Sequence, residues 1–463
     1  MAFRPKFASI VSMTAENKVI TRFAPSPTGF FHMGTLRTGL FCYLYAKKQN
    51  GDFLLRIEDT DKIRSKKEYE DDILGTLEWL GIKYDKFFRQ SEHLDNHKIF
   101  LNQLINDGKA YVSKEESKDE PGVMREVIRF RNEGEIITFH DLVLGDITVD
   151  TTDLGDFVIA KDFDTPLYNF AVVVDDCEAN ITHVIRGQDH VPNTPRQILL
   201  YKALGKPIPQ FAHIPLILAP DKQKLSKRKH GEGVSVRHYR ELGYLPDALL
   251  NFMALIGWNP GTEQEIFSLK ELIEVFDIER VQKSPGVFNV DKLNWLNKEY
   301  IKLLSLEEQE RWIKEFLPES IHTLPHFTDE RLHALVPVIA ERIEKFADVK
   351  TMAENGELAI FFETPKPNKE LLQFKGSTPE DTKMHLEKAA ELLETIAEGD
   401  WNIEKIKETL MAYADTLPKR GPFLHPLRSA LSGLEKSPDP FTISGVIGKA
   451  ETLLRIQNAL NIM

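Results

Sequence analysis

Residues that could do chemistry first appear near the N-terminus, where a histidine follows a loop of small residues. Residues 19–23 form a short apolar and β-branched run, typical of a buried strand, and the stretch 25–29 ends it with Pro and Gly. From Met33 onward, apolar residues recur with helical spacing. A strand, a short loop and a helix in this order favour an anion site, because backbone N–H groups at a helix start attract phosphate. His32 could donate a proton to a phosphate oxygen, and Gly34 leaves room for a nucleotide.

A second candidate for phosphate chemistry is the lysine-rich stretch 222–231. In order, it includes Lys224, Leu225, Ser226, Lys227 and Arg228. Transfer at a phosphate requires cations over the polyphosphate, because negative charge shifts among the phosphates as the α-phosphorus becomes five-coordinate. The alternative is a solvent-exposed basic loop, which is what most runs of Lys and Arg are.

Charged residues also follow two of the predicted apolar strands. Glu58, Asp59 and Asp61 come after the second strand of the chain, and Arg186 comes after a later one. The carboxyl ends of parallel strands meet at the edge where ligands bind, so Glu58 could hold an ammonium and Arg186 a carboxylate. Asp59 and Asp61 could equally be turn or helix-cap residues, and Arg186 could form a surface ion pair.

Taken together, these stretches resemble the two signature motifs of the class I aminoacyl-tRNA synthetases. His32-Met-Gly-Thr35 is similar to the HIGH tetrad, and the PSPTG that precedes it resembles the glutamyl and glutaminyl branch. Residues 224–228, KLSKR, are similar to the KMSKS loop. The two motifs occur in the family's order, each after a strand, which makes a chance match improbable.

The resemblance implies a role for each site residue. The catalytic residues would be His32, Lys224 and Lys227. Glutamate would be bound by Arg22, Ala24, Ser26, Glu58, Tyr168 and Arg186, with Arg22 and Tyr168 on its side-chain carboxylate. ATP, carried with Mg²⁺, would be bound by His32, Gly34, Asp189, Ile217, Lys224, Leu225, Ser226, Lys227 and Arg228.

An α+β insertion is predicted between the two motifs. A helix is expected to reach about Tyr111, a polar loop to follow at 113–122, and short β segments to follow without a βαβ pattern. In the resembled family, the insertion at this place binds the acceptor end of tRNA. Some members hold zinc there through cysteines, but residues 95–175 contain none, so no zinc is expected.

Helical spacing dominates from about residue 302, and residues 443–460 read as a single helix. A helical C-terminal part resembles the bacterial glutamyl enzyme and argues against the glutaminyl enzyme, whose corresponding part is built of β-barrels. Arg342 and Arg428 are the candidate anticodon contacts.

Composition narrows the class of protein. Of 463 residues, 42% are hydrophobic and 28% charged, and no run is long enough for a membrane span. The net charge of −12 excludes a protein that coats nucleic acid by general positive charge, but allows a local basic patch. Two cysteines exclude a disulfide framework, and we expect a cytoplasmic monomer.

The predicted fold is α/β: a Rossmann-type parallel-sheet catalytic domain with an inserted α+β acceptor-binding domain, followed by an all-helical anticodon-binding region. The expected parts are an N-terminal extension (1–17), the catalytic domain (18–94 and 176–235), the insertion (95–175), a connecting domain (236–301) and the helical region (302–463).

The resemblance implies ATP-dependent ligation of L-glutamate to the 3′ end of tRNA(Glu) through a glutamyl-adenylate, with release of AMP and pyrophosphate. Three alternatives stay open: an enzyme that also charges tRNA(Gln), a shortened relative that glutamylates a modified tRNA base, and an RNA-binding paralogue without chemistry. Residues 302–463 argue against the shortened relative, which lacks a helical anticodon domain.

Overall fold

Each of the two units of the chain is organised around a different kind of secondary structure. The computed structural model describes residues 18–116 and 122–463. The first unit holds the described residues up to Arg240 together with Pro246–Leu293, and the second holds Glu241–Leu245 together with Asn294–Met463. The predicted N-terminal extension, 1–17, lies outside the described residues.

Strands of the first unit form a large mixed sheet and two small sheets. The strands are β1 (Ile20–Phe23), β2 (Asp52–Ile57), β3 (Lys86–Arg89), β4 (Ala110–Glu116), β5 (Met124–Phe130), β6 (Ile136–Asp141), β7 (Gly145–Asp150), β8 (Phe157–Ala160), β9 (His183–Gly187), β10 (Gln210–Ile214), β11 (Ile217–Leu218) and β12 (Gly286–Val287). Among the described residues, the large sheet has the order β3-β2-β1-β9-β10-β6-β7, and only β6 and β7 pair antiparallel. The small sheets are β4-β5-β8 and β11-β12.

Helices cover both faces of the large sheet. Those that begin in the first unit are α1 (Met33–Lys48), α2 (Lys67–Trp79), α3 (Leu94–Asn106), α4 (Tyr168–Glu178), α5 (Thr194–Ala203), α6 (Lys227–His230), α7 (Val236–Glu241), α8 (Pro246–Leu255), α9 (Leu269–Val275) and α10 (Val290–Leu303). Phe53 of β2 contacts the ring of Tyr43 in α1, whereas the next residue, Leu54, packs among α3, α4 and α5. Successive strand residues point to opposite faces, so the predicted Rossmann-type domain is confirmed.

Helix α1 is buried on most of its surface because it lies directly against β1. Its Gly39 is so close to the ring of Phe23 that a Cβ there would stand 3.2 Å from ring atoms. The thiol of Cys42, in the same helix, donates to the carbonyl oxygens of Arg22 and Ile185 at 3.4 and 3.5 Å. Because α1 is fixed against β1, the loop between them, which carries His32, has a defined position at the edge of the sheet.

Two element boundaries differ from the sequence prediction. α3 ends at Asn106 and not near Tyr111, because Gly108 turns the chain with a φ of 69°. β4 then runs to Glu116, through part of the predicted polar loop. Further along the chain, β10 ends before Pro215, which has no N–H to donate to a ladder, and β11 begins after it.

The predicted insertion is shared between two sheets. Its β6 pairs with β10 through the register Phe211↔Asp141, and thus extends the large sheet together with β7. Its β4, β5 and β8 form the separate antiparallel sheet. The domain limits given above stay predictions.

The described part of the second unit contains helices and turns only, as predicted. After the end of α10, its helices are α11 (Leu306–Phe316), α12 (Glu319–His322), α13 (Asp329–Arg342), α14 (Ala347–Glu354), α15 (Ala359–Phe362), α16 (Lys369–Leu372), α17 (Pro379–Glu394), α18 (Ile403–Ala414), α19 (Gly421–Ser432), α20 (Pro440–Ile447) and α21 (Lys449–Leu460). The single helix predicted over 443–460 is wrong, because Gly448 breaks it with a φ of 84°. Across the residues that the structure describes, no helix is long and apolar enough to cross a membrane.

Candidate functional site

A cavity of about 690 Å³ opens where the carboxyl ends of β1, β9 and β10 meet. The predicted glutamate-binding residues that line it are Arg22, Ala24, Ser26, Glu58, Tyr168 and Arg186. The predicted ATP-binding residues that line it are His32, Gly34, Asp189, Ile217, Lys224, Leu225 and Ser226. The side chains of Lys227 and Arg228 lie outside the described part of the structure. We call the neighbourhood of Arg22, Glu58, Tyr168 and Arg186 the arginine end, and that of His32, Asp189 and Lys224 the lysine end.

His32 lies at the amino end of α1, where the first turn leaves backbone N–H groups free. Its Nδ1 accepts a hydrogen bond from the Thr35 backbone N–H at 3.2 Å, so the proton of a neutral ring belongs on Nε2. Burial, and then the Lys224 ammonium, lower the pKa of His32, and the ring is therefore neutral at pH 7. Gly34 lies under this ring, where a Cβ would stand 3.3 Å away. Nε2 of this ring lies 2.7 Å from the Thr35 hydroxyl oxygen, so a neutral His32 can donate to an oxygen of an anion once that oxygen takes the place of the hydroxyl.

The lysine-rich loop is a hairpin closed by backbone hydrogen bonds. Ala219 N–H donates to Gln223 at 2.8 Å, and Leu225 N–H donates to Ile217 at 3.0 Å. Lys222, at the tip, has a left-handed φ of 62°. α6 begins directly after the hairpin.

Lys224 reaches from this hairpin to Asp189, with Nζ and Oδ2 3.1 Å apart. Burial alone would raise the pKa of Asp189, but the Lys224 ammonium outweighs burial and lowers it. The side chains are 58% and 45% exposed, and such pairs contribute little to stability. Lys224 can therefore leave Asp189 for a phosphate at small cost.

Backbone pairing joins the histidine loop to the segment that follows the lysine-rich loop. Val236 N–H donates to the carbonyl of Phe31 at 3.0 Å, and His32 and Ser235 form an antiparallel bridge. His32 and Lys224 consequently border one cavity, so both can act on the same ligand.

At the arginine end, Arg22 is held from behind by a buried carboxylate. Arg22 Nε lies 3.2 Å from both carboxylate oxygens of Asp176, and Arg56 Nη1 lies 2.6 Å from one of them. Burial would lower the pKa of Arg22, but Asp176 outweighs it and raises the pKa. Among the described residues, the hydrogen bonds of Arg22 use Nε alone, so both Nη groups are available to a ligand in the cavity.

Glu58 is placed by the loop after β1 and by Arg56. Its backbone N–H donates to the carbonyl of Pro25 at 3.0 Å, which draws the end of β2 towards Ala24 and Ser26. Arg56 Nη2 donates to Oε1 of Glu58 at 3.1 Å. Burial raises the pKa of Glu58, and Arg56 offsets part of that rise. The second carboxylate oxygen of Glu58 is the one that can accept from an ammonium group.

Arg186 is buried, and the surface ion pair considered for it does not form. Its guanidinium donates to three neutral partners: His213 Nε2 at 3.1 Å, Gln197 Oε1 at 2.8 Å and Thr194 Oγ1 at 2.7 Å. Burial lowers the pKa of Arg186. A buried guanidinium whose hydrogen-bond partners are neutral is a strong site for an incoming carboxylate.

Known proteins match this chain over nearly its whole length. The model of class I tRNA synthetases (E and Q), catalytic domain, matches residues 18–127 and 113–295, and an anticodon binding domain matches 306–460. The glutamate–tRNA ligase of Carboxydothermus hydrogenoformans is 39% identical over 96% of this chain and 100% of that protein. This chain belongs to the glutamate–tRNA ligase family.

Other members of the family agree in sequence and in fold. The Aquifex aeolicus glutamate–tRNA ligase is 49% identical over 62% of this chain and 67% of that protein. A crystal structure of the glutamate–tRNA ligase from Elizabethkingia meningosepticum, in complex with its amino acid, is 33% identical and superposes with a TM-score of 0.83. That superposition covers 96% of this chain and 99% of the other. The predicted bacterial glutamyl type is thereby confirmed.

The two residues predicted to contact the anticodon lie in the second unit. Arg342, at the end of α13, forms an ion pair with Glu357. Arg428, in α19, donates from Nη2 to the carbonyl of Glu435 at 2.9 Å, and its buried Nε has no partner among the described residues. Their role at the anticodon stays a prediction.

Asp59 and Asp61 act as turn and cap residues, one of the two interpretations that the sequence allowed, and not as ligand-binding carboxylates. Asp59 accepts from the backbone N–H and the hydroxyl of Ser91 at 2.9 and 2.6 Å. Asp61 accepts from the backbone of Ile63 and Arg64. Within the described residues, no group of three or more His, Cys, Asp or Glu side chains could hold a metal ion.

Sequence reasoning missed the buried polar residues that hold the two arginines. They are Arg56, Asp141, Asp175, Asp176 and His213, each at most 2% exposed. A signal was present in two of the stretches, because Arg56 interrupts an apolar strand and Asp175-Asp176 follow an apolar helical run. Charges in such runs require buried partners. No local pattern points to Asp141 or His213.

Proposed function

We propose that this protein joins L-glutamate to the 3′ end of tRNA(Glu) at the expense of ATP. An oxygen of the glutamate α-carboxylate attacks the α-phosphorus, which forms glutamyl-adenylate and releases pyrophosphate. A hydroxyl of the terminal ribose of tRNA then attacks the glutamyl carbonyl carbon, and AMP leaves. Membership of the glutamate–tRNA ligase family supports this reaction.

The arginine end would bind glutamate at three points. The free Nη groups of Arg22, with Tyr168, would meet the side-chain carboxylate, while Glu58 would accept from the ammonium and Arg186 would hold the α-carboxylate. Ala24 and Ser26 would line the pocket. Glutamine carries an NH₂ in place of one oxygen, so its donor hydrogens would face those of Arg22, and a buried clash of donors costs a few kcal/mol.

The lysine end would bind the triphosphate. A carboxylate is an adequate nucleophile once ionised, so catalysis is positioning and charge stabilisation. His32 would donate to a phosphate oxygen, and Lys224 and Lys227 would follow the charge as it moves towards pyrophosphate. Gly34, Asp189, Ile217, Leu225, Ser226 and Arg228 would complete the ATP contacts.

Mg²⁺ would accompany the ATP. In proteins this ion is held by one or two carboxylates together with substrate phosphates. Asp189 fits that need only if Lys224 moves from it to a phosphate, since the two are paired 3.1 Å apart. Mg²⁺ would neutralise phosphate charge, and the roles given above to protein residues do not depend on its position.

The second unit would bind tRNA, with Arg342 and Arg428 as anticodon contacts. The match of residues 306–460 to an anticodon binding domain supports this part of the proposal. We further propose a cytoplasmic monomer, in keeping with two free cysteines of which Cys42 is buried.

The observation that carries the proposed residue roles is the pair of unused Nη groups that Arg22 presents to the cavity. We expect Arg22→Ala to lower kcat/KM for glutamate about 1,000-fold or more, because the guanidinium proposed to bind the side-chain carboxylate is lost. Asp176 keeps its 2.6 Å contact with Arg56, so the fold should persist. The measurement is ATP–pyrophosphate exchange in the presence of tRNA.

Arg196→Ala is the matched control, since Arg196 is a half-exposed arginine of the same unit that does not line the cavity. It should exchange at the wild-type rate. Near-normal exchange by Arg22→Ala would remove Arg22 from glutamate recognition.

A further inference from the structure

A chain of three buried side chains leads from the cavity into the sheet. Arg186 Nε donates to Nε2 of His213 at 3.1 Å, and Nδ1 of His213 lies 2.6 Å from Oδ2 of Asp141. His213 and Asp141 are fully buried, and Arg186 is 5% exposed. Of the three, Arg186 alone lines the cavity.

Sheet register brings these residues together. Arg186 and His213 are directly paired positions of the parallel strands β9 and β10, so their side chains stand side by side. Asp141, the last residue of β6, is paired with Phe211, two residues before His213. Its carboxylate also accepts from the backbone N–H groups of Val143 and Leu144, at 3.0 and 2.9 Å.

The hydrogen bonds assign a single protonation state to His213. Asp141 accepts from Nδ1–H, which leaves the lone pair of Nε2 as an acceptor for Arg186 Nε and for the Thr194 hydroxyl, each 3.1 Å away. A proton on Nε2 would place a donor against a donor and a cation beside Arg186. The carboxylate of Asp141 thus fixes the tautomer that Arg186 needs.

Three of the five N–H groups of Arg186 are taken by His213, Gln197 and Thr194. Among the described residues, no hydrogen bond uses the other two, of which one lies on each Nη atom. Two such N–H groups can meet a carboxylate in the bidentate manner if the guanidinium plane is fixed.

We propose that His213, oriented by Asp141, is a positioning residue that fixes the plane of Arg186 for the α-carboxylate of glutamate. This inference rests on the proposed role of Arg186 in glutamate binding. It adds that the affinity for the amino acid depends on a histidine and an aspartate that no substrate touches.

The experiment is steady-state ATP–pyrophosphate exchange, with tRNA present, on five variants. Asp141→Asn keeps the shape of the side chain and removes its charge, and His213→Leu removes the acceptor. His213→Gln keeps an acceptor near the position of Nε2, and Arg186→Ala is the reference for complete loss of the contact. His183→Leu is the control, because His183 is a half-buried histidine of the same strand as Arg186 that does not line the cavity.

We expect Asp141→Asn and His213→Leu to raise KM for glutamate about 10-fold to 100-fold, the usual worth of a hydrogen bond to a charged group. KM for ATP and the thermal midpoint should change little in Asp141→Asn. His213→Gln should recover most of the glutamate affinity, and His183→Leu should behave as wild type.

Two results would overturn the inference: an unchanged KM for glutamate in Asp141→Asn and His213→Leu, or a loss of activity that is equal for both substrates and that His213→Gln does not recover. Failure of the proposed function looks different. In that case Arg186→Ala itself would keep the wild-type KM for glutamate.

Discussion

Arg22 and Arg186 face the same cavity but are held by partners of different charge. Asp176 compensates Arg22 and raises its pKa, whereas the hydrogen-bond partners of Arg186 are neutral and burial lowers its pKa. An uncompensated guanidinium gains more from an incoming carboxylate than a paired one does. Arg186 should therefore supply affinity for an amino acid in general, and Arg22 should supply the choice among side chains.

Lys224 offers a test of the lysine end, because its side chain is described and its ion pair with Asp189 is exposed. We expect Lys224→Ala to lower turnover in pyrophosphate exchange about 100-fold and to change KM for ATP much less, since the charge acts mainly in the transition state. Lys227→Ala should act in the same direction.

Lys222→Ala is the control for that measurement. Lys222 belongs to the same hairpin and does not line the cavity, so its loss should leave turnover close to wild type. An equal loss in both variants would mean that general positive charge, and not the position of Lys224, is what counts.

The sequence predicted the side chains that face the cavity better than the buried side chains that hold them from behind. Glu58 and Arg186 were found because each lies at the carboxyl end of a predicted strand, where position along the chain implies position in space, and Arg22 was found through the family resemblance. His213 was not found as a partner of Arg186, because that contact depends on the order of strands in the sheet. Strand order is a property of the folded chain and has no local signature.

Single glycines decide where several elements end. Gly448 separates α20 from α21 with a φ of 84° and a ψ of 167°, a conformation that other residues rarely adopt. The amphipathic pattern runs through this position, which is why one helix was predicted. Leu454, an apolar residue of the stretch predicted as one helix, is 49% exposed.

Gly448→Ala should therefore destabilise the second unit by about 1–3 kcal/mol, the usual cost of a backbone conformation reserved for glycine. Urea unfolding of the purified protein measures this. A steric clash of the added Cβ cannot be the cause, since a Cβ at Gly448 meets no atom within 4 Å.

Gly399→Ala is the matched substitution, because Gly399 also has open space around it but no positive φ. It should change the free energy of unfolding by less than about 0.5 kcal/mol. Equal effects at both glycines would contradict the argument from φ.

Element types were easier to predict than element ends. The strands β5 to β8 contain short β-branched or apolar segments separated by turn residues and were recognised, whereas the charged residues in β4 suggested a loop. β4 is a strand all the same, since residues from Ala110 to Glu116 pair one by one with β5. Tertiary pairing overrides local preference where a strand is polar on its outer face.

Several histidines that the surrounding protein shields from water, wholly or in part, make stability depend on pH. Burial lowers the pKa of His190 to about 4, and burial also lowers the pKa of His32, His183 and His213. In the unfolded chain a histidine titrates near about pH 6.5. Below that pH the unfolded state binds protons that the folded state does not, so the folded state loses stability as the pH falls.

We expect the free energy of unfolding to fall steadily between about pH 6.5 and about pH 5, before most carboxylates titrate. His190→Asn should make the fall shallower, because one of the contributing groups is gone. Urea unfolding at a series of pH values measures the slope. An unchanged slope in the variant would show that His190 is as easily protonated in the folded state as in the unfolded chain.

The choice between tRNA(Glu) and tRNA(Gln) also involves the whole molecule, because the helical second unit would recognise the tRNA and the site in the first unit would glutamylate it. We expect glutamylation of tRNA(Glu), and no observation on this structure favours the alternative enzyme that also charges tRNA(Gln). Aminoacylation with labelled glutamate and each purified tRNA measures the choice. Equal charging of both would establish the alternative.

The position of Cys42 makes its thiol a probe of local opening between α1 and the sheet. The sulfur lies against the carbonyl groups of Arg22 and Ile185, so it sits where α1 meets β1 and β9, and burial raises its pKa to about 12. Reagents that alkylate thiols need both access and thiolate, and neither exists at Cys42 while helix and sheet stay together. Burial also raises the pKa of the half-buried Cys177 to about 12, so this thiol is best removed as Cys177→Ser, and the rate of modification at Cys42 then measures how often the centre of the sheet is uncovered. Ligands that clamp the cavity shut should slow that rate.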